Sequence, residues 1–167
     1  FHNNSFIEGP SFKNLVSSTQ LSDGTLILNL ELEGSYALYS FDGQQFEKQA
    51  EGKRISRLEN SPDNKTYTYV IDKDRQSFYG IGDLLYTRPP IWKPVGEAYA
   101  YLGIDDMGDQ VFVNYNGLGR YERISNFGTF ADDSRLHFIG SKDGNYTVHH
   151  VDSSLKNQSS PNYTRAP

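Results

Sequence analysis

The chain has 167 residues and a formal net charge of −5, long enough for a real core and too acidic to neutralise a nucleic-acid backbone. It has no cysteine, which excludes a disulfide framework and thiolate metal ligation. No apolar run reaches the roughly 18 to 20 residues of a membrane-spanning helix. No secretion signal is recognisable, and a chain beginning at Phe1 rather than Met reads as processed, trimmed or partial.

With 12 Tyr, 10 Phe and 15 Gly, the composition favours strands separated by turns. Residues 1–8 read as an amino-terminal extension. From Gly9 the first of four related segments begins. Laid over the stretch from Leu118, Phe12 falls on Tyr121, Leu15 on Ile124, Leu21 on Phe130 and Asp23 on Asp132, all at one offset and without a gap. In this first copy SSTQLSDG is a short strand running into an acidic turn. TLILNLEL and SYALYSF form a hairpin about Glu33-Gly34, and QFEKQ follows as an outer strand.

The second copy places Ile55 and Asp63 where the first has Leu15 and Asp23. Its hairpin, TYTYVID with QSFYGIG, turns at Lys73-Asp74-Arg75, and DLLYTR leads on. The third copy starts at IWKPVGEAYAYLG, with Gly96 and Tyr99 at the places of Gly24 and Ile27. It turns at Asp106-Met107-Gly108 and leaves through GRYERI. The fourth runs from ISNFGTFADD into a hairpin about Asp143-Gly144, a strong short hairpin signal. A two-residue turn there sets His137 opposite His150 and Phe138 opposite His149. The copy reads as ending after its third strand, near Val151, and residues 153–167 read as a flexible or extended tail rich in Ser, Asn and Pro.

Four strands recur in four copies, at a period of about 36 residues, and no helical periodicity competes with them. A four-stranded antiparallel unit at this period is the blade of a β-propeller. The acidic turns Leu21-Ser22-Asp23-Gly24, Ser61-Pro62-Asp63-Asn64 and Ala131-Asp132-Asp133-Ser134 resemble those of WD40-like propeller repeats of the TolB type. The third copy departs, with Val95-Gly96 in place of the acidic turn. The resemblance covers residues 9–152. It implies an all-β propeller of about four blades, with the amino-terminal strand closing the last blade; the alternatives are a fragment of a larger ring or an open stack that pairs with another chain. It is nearly silent on activity, since such repeats serve as binding platforms, scaffolds and gate domains of enzymes.

For binding, the richest stretch is Tyr86-Thr87-Arg88-Pro89-Pro90-Ile91-Trp92-Lys93-Pro94, which holds the single Trp of the chain. Tyr86, Arg88 and Trp92 are residue types that dominate binding interfaces, and Lys93 adds a second cation, on a segment stiffened by proline. The alternative is that Trp92 packs as core and the prolines only shape the connection. His137 and His150 are two imidazoles able to share a transition-metal ion, with no third ligand in view. The carboxylates at 72–74, 105–109 and 132–133 fit no calcium loop and sit where Asp bonds its own turn. There is no nucleophile elbow and no phosphate loop. No cofactor is implied.

The sequons at Asn3, Asn64, Asn145, Asn157 and Asn162 point to an extracellular or periplasmic glycoprotein. The alternative is turn chemistry beside Thr-rich strands. Three functional readings stay open. The first is a non-catalytic propeller module binding a protein, peptide or glycan on one face. The second is a self-associating structural surface protein, and the third a carbohydrate-active propeller enzyme.

Overall fold

The computed structural model describes residues 7–130, 132 and 134–160. Among them there are sixteen strands and no helix, so no helix is long and apolar enough to cross a membrane. The strands form four antiparallel sheets, each of four strands paired in chain order. The first sheet holds β1 (Asn14–Gln20), β2 (Leu26–Glu31), β3 (Tyr36–Phe41) and β4 (Phe46–Gly52). The second holds β5 (Arg54–Asn60), β6 (Tyr67–Lys73), β7 (Gln76–Ile81) and β8 (Leu84–Tyr86). In the third are β9 (Ile91–Val95), β10 (Ala98–Asp105), β11 (Gly108–Val113) and β12 (Asn116–Tyr121). In the fourth are β13 (Arg123–Thr129), β14 (Arg135–Lys142), β15 (Asn145–Asp152) and β16 (Asn157–Ser159).

The fourfold sequence repeat is therefore a fourfold structural one, the weak third copy included. The same backbone bond opens each copy. The N–H of Lys13 donates to the Glu31 carbonyl at 2.8 Å, Lys53 to Asp72 at 2.9 Å, Thr87 to Ile104 at 2.8 Å and Glu122 to Ser141 at 2.9 Å. The acidic turns are also built alike. The carboxylates of Asp23, Asp63 and Asp132 each accept the N–H two residues on, at 2.9, 3.2 and 3.0 Å. The Thr25 N–H holds the exposed carboxyl of Asp23 below the usual range, and the Ser134 hydroxyl, joined by its N–H, does the same for Asp132. The Asp143-Gly144 hairpin has the expected register, with His137 opposite His150 and Phe138 opposite His149.

One expectation is overturned. The last sheet is not completed by the amino-terminal strand. Its fourth strand is β16, which the chain supplies after a turn in which Asp152 Oδ1 accepts the Ser154 and Lys156 N–H groups. With β16 on β15, the edge meant for residues near Gly9 is filled. The start of the Ser- and Asn-rich tail is thus part of a sheet, because an edge strand needs only backbone groups to pair. Residues 1–6 and 161–167 lie outside the described residues, with Asn3 and Asn162 among them.

The chain divides into two compact units, Phe1–Leu85 and Tyr86–Pro167. Each has its own core. In the first, Ile27, Leu38, Ile55, Tyr69 and Ile71 are buried together between the first two sheets. In the second, Leu102, Val111, Ile124, Phe138 and Val151 are buried between the third and fourth. Each such aliphatic side chain contributes about 1.5–3 kcal/mol. Inner strands are apolar almost throughout, as in LILNLE of β2, because both faces are covered. Outer strands carry charge. Lys48 and Glu51 pair at 2.8 Å on the edge strand β4.

Aromatic side chains fit over glycines where one sheet meets the next. A Cβ added at Gly103 would lie 2.1 Å from the Tyr86 ring, and one at Gly140 would lie 2.3 Å from the Tyr121 ring. At the matching place in the first unit the sizes are exchanged, with Gly52 against Ile71. The junction needs one large and one small partner, and the copies differ in which strand supplies the large one.

Candidate functional site

The stretch rich in binding-type residues is divided by the pleat. β9 pairs Trp92 with Tyr101 and Lys93 with Ala100, so the two side chains leave opposite faces of the sheet. Trp92 is partly buried against Tyr101, ring centroids 4.8 Å apart, and Tyr101 stacks on Phe112 at 4.6 Å. Tyr86 joins the same group edge-on to Tyr101 at 6.4 Å and is only 2 % exposed. Tyr86 and Trp92 thus belong to one packed aromatic row. Arg88 is exposed on the short connection before β9.

His137 and His150 face each other, and both lie against Phe130, His137 edge-on at 5.3 Å and His150 tilted at 5.5 Å between centroids. The Nδ1 atom of each is buried without a hydrogen-bond partner among the described residues. Among the described residues no three His, Cys, Asp or Glu side chains gather as a metal site. His149 points the other way. Its Nδ1 lies 3.1 Å from Asn157 Nδ2 and its Nε2 3.3 Å from the Tyr121 hydroxyl. Burial lowers its pKa below the ordinary 6.5. Of the sequons, Asn64 sits exposed on a turn at φ 57°, Asn145 is partly buried at the Asp143 turn, and the Asn157 amide is engaged by His149.

A recess lies elsewhere, in the first unit, where β1 and β5 run beside each other. It is a cleft of about 460 Å³ lined by Val16, Asn29, Tyr36, Arg54, Arg57 and Leu58, with Ser17, Ile55 and Ser56 between them. Asn29 comes from the buried strand β2, and it is fully buried. Its Nδ2 donates to the Ile55 carbonyl at 3.1 Å and lies 3.5 Å from Ser17 Oγ. Its Oδ1 has no partner among the described residues. A buried amide oxygen left without a donor costs about 1–3 kcal/mol. In the apolar run Leu26-Ile27-Leu28-Asn29-Leu30, aliphatic side chains surround it on the strand.

Both strands at the cleft are edge strands, and both are broken by a bulge. The register slips between Leu15 and Ser17 on β1 and between Ser56 and Glu59 on β5. The β5 bulge holds Arg57 at φ 52°. The corresponding bulge of β13 has Asn126 at φ 54°. Asn tolerates that left-handed backbone, whereas Arg pays about 1–3 kcal/mol for it. The bulge re-aims Arg57 into the cleft. Arg54 and Arg57 are exposed, enter no ion pair among the described residues, and meet no carboxylate in the cleft lining. A second recess of about 440 Å³ continues past the same two arginines to Asp72, Ser77 and Tyr79. A buried acceptor, two exposed cations without an ion pair among the described residues and a partly buried aromatic ring therefore line one open groove. Sequence reading missed it; the signal was an Asn where the other copies carry apolar residues.

No protein-family model matches this chain, and no curated protein matches it.

Proposed function

We propose that the chain is a non-catalytic binding module built on the plan of a β-propeller, its four sheets serving as blades, and that it recognises a protein, peptide or glycan in the cleft beside β1 and β5. Four meandering sheets of four strands support the blade reading, as does the backbone bond that recurs at the start of every copy. The observation that carries the binding reading is the fully buried Asn29 carbonyl, held without a donor at an open cleft. The Nδ2 end of this amide serves the fold by donating to the Ile55 carbonyl, but the unpaired Oδ1 costs stability, and such an acceptor is expected where a ligand completes it. The test is a panel of immobilised glycans and peptides probed with the native chain and with Asn29→Leu. Retained binding that ignores the substitution argues against this site.

A second reading, self-association, has its own observation. Phe12 and Leu15 are each 53 % exposed and Val16 is 48 % exposed. The counterparts of Leu15 in the second and fourth copies, Ile55 and Ile124, are 2 % and 8 % exposed, each covered by a neighbouring sheet. A sheet from a second copy of the chain fits this uncovered apolar face. Sedimentation over a wide concentration range decides the matter, and a monomer at every concentration removes it.

A further inference from the structure

The cleft beside β1 and β5 has a chemistry specific enough to name a ligand class. We infer that it takes an acidic saccharide, a sugar bearing a carboxylate of the uronic-acid type; this rests on the reading that the cleft is the binding site. Arg54 and Arg57 supply two cations that close no ion pair among the described residues, with the carboxylate residue Asp72 opposite Arg54 on the sheet, and two such cations suit a carboxylate better than a neutral group. Asn29 Oδ1 is an acceptor in need of an O–H or N–H donor. The hydroxyls of Ser17 and Ser56 line the same wall and can both give and accept. Tyr36, partly buried, offers a ring face on which the apolar side of a sugar can lie. A ligand that places many hydroxyls and one carboxylate on a compact frame satisfies all of these groups at once.

An acidic peptide presents a carboxylate too, but its main chain calls for a continuous row of backbone donors and acceptors. Both strands at the cleft are interrupted by bulges at the very residues that line it, Val16 on β1 and Arg57 on β5. That geometry disfavours an added strand and favours a ligand read by side chains. The site takes no part in bond making or breaking; the saccharide binds and leaves unchanged.

The experiment is isothermal titration of the full chain with a digalacturonate, with the neutral digalactose of the same linkage, and with an acetylated tripeptide carrying one Glu. Arg54→Gln, Arg57→Asn and Asn29→Leu are compared with Arg123→Gln, which alters the matching arginine of the second unit. Circular dichroism confirms that each variant folds, and Asn is chosen at position 57 because it accepts the positive φ. Digalacturonate is expected to bind at least about tenfold more tightly than digalactose, and about tenfold less tightly to Arg54→Gln or Arg57→Asn. Binding is expected to weaken with salt and to be unaffected by Arg123→Gln. Equal affinity for the neutral sugar overturns the acidic part of the inference and leaves the cleft standing. Tighter binding of the peptide overturns the saccharide. No digalacturonate binding overturns the inference, while Asn29-dependent capture of some other ligand from the panel preserves the site. Digalacturonate binding that ignores both Asn29→Leu and the two arginine substitutions overturns both readings.

Discussion

The two units build the same sheet-to-sheet junction and finish it differently. Asn29 lies two residues before Glu31, and Leu102 two residues before Ile104, the carbonyls that accept the recurring backbone bond. Both side chains face the following sheet. Leu102 is 4 % exposed and packs with Ile124, Phe138 and Val151 in a closed apolar core. Asn29 instead reaches the Ile55 carbonyl and leaves a cleft of about 460 Å³ beside it. A dry junction in one unit and an open, polar one in the other show that the frame does not require the cleft. The cleft is an addition to the frame, and its local cost argues for use.

Exchanging the two residues breaks the comparison most severely. Leu102→Asn puts an amide into a sealed apolar cluster and is expected to cost about 3 kcal/mol or more in a urea melt. Adding a methyl group at the glycine contacts comes next. Gly103→Ala and Gly140→Ala each force a tyrosine ring aside and are expected to cost about 2 kcal/mol. Replacing the facing ring, as in Gly103→Ala with Tyr86→Leu, is expected to recover part of the loss, since Gly52 and Ile71 already show the opposite arrangement. Trp92→Ala uncovers Tyr101 and is expected to cost about 2 kcal/mol while leaving cleft binding unchanged. A loss of ligand affinity with no loss of stability would restore Trp92 as a contact residue.

A smaller effect depends on pH. His149 is buried and its folded pKa lies below 6.5. The unfolded chain therefore takes up a proton first as pH falls. The contribution of His149 to stability is complete above about pH 6.5 and is progressively lost below it, until the folded form titrates as well. His149→Phe is expected to flatten the thermal midpoint between pH 7 and 5. The self-capped Asp23 and Asp132 act only lower, below the ordinary 3.8, so the two windows separate. The smallest expected change is Asn29→Leu, within about 1 kcal/mol of the native chain. It removes an unpaired acceptor but also strips the Ile55 carbonyl of its donor.

Much of the frame was legible because turn chemistry counts residues. The Asp143-Gly144 turn admits one short register, and that register pairs His137 with His150. Apolar runs bounded by such turns mark the inner strands of every copy. β16 escaped notice because Asn157-Gln158-Ser159 buries nothing apolar to announce it; an edge strand is held by backbone pairing, which composition does not record. The site escaped for a different reason. Trp92 and Tyr86 are residue types shared by interfaces and aromatic cores, so their presence does not separate the two. Asn29 differs from its counterparts by one residue in an apolar strand, and its meaning depends on which face meets the next sheet. The bulge that carries Arg57 and the one at Val16 are likewise invisible in a pattern of alternation.

The decisive measurement is the nitrogen–proton spectrum of the Asn29 side-chain amide during titration with digalacturonate. If the cleft is a ligand site, the Asn29 amide signals move and saturate together with the backbone signals of Ser17 and Arg57, while those of Leu102 and Phe138 stay in place. If the Asn29 signals remain still as binding elsewhere saturates, the buried acceptor has no part in recognition, and the contrast between the two junctions is one of packing alone.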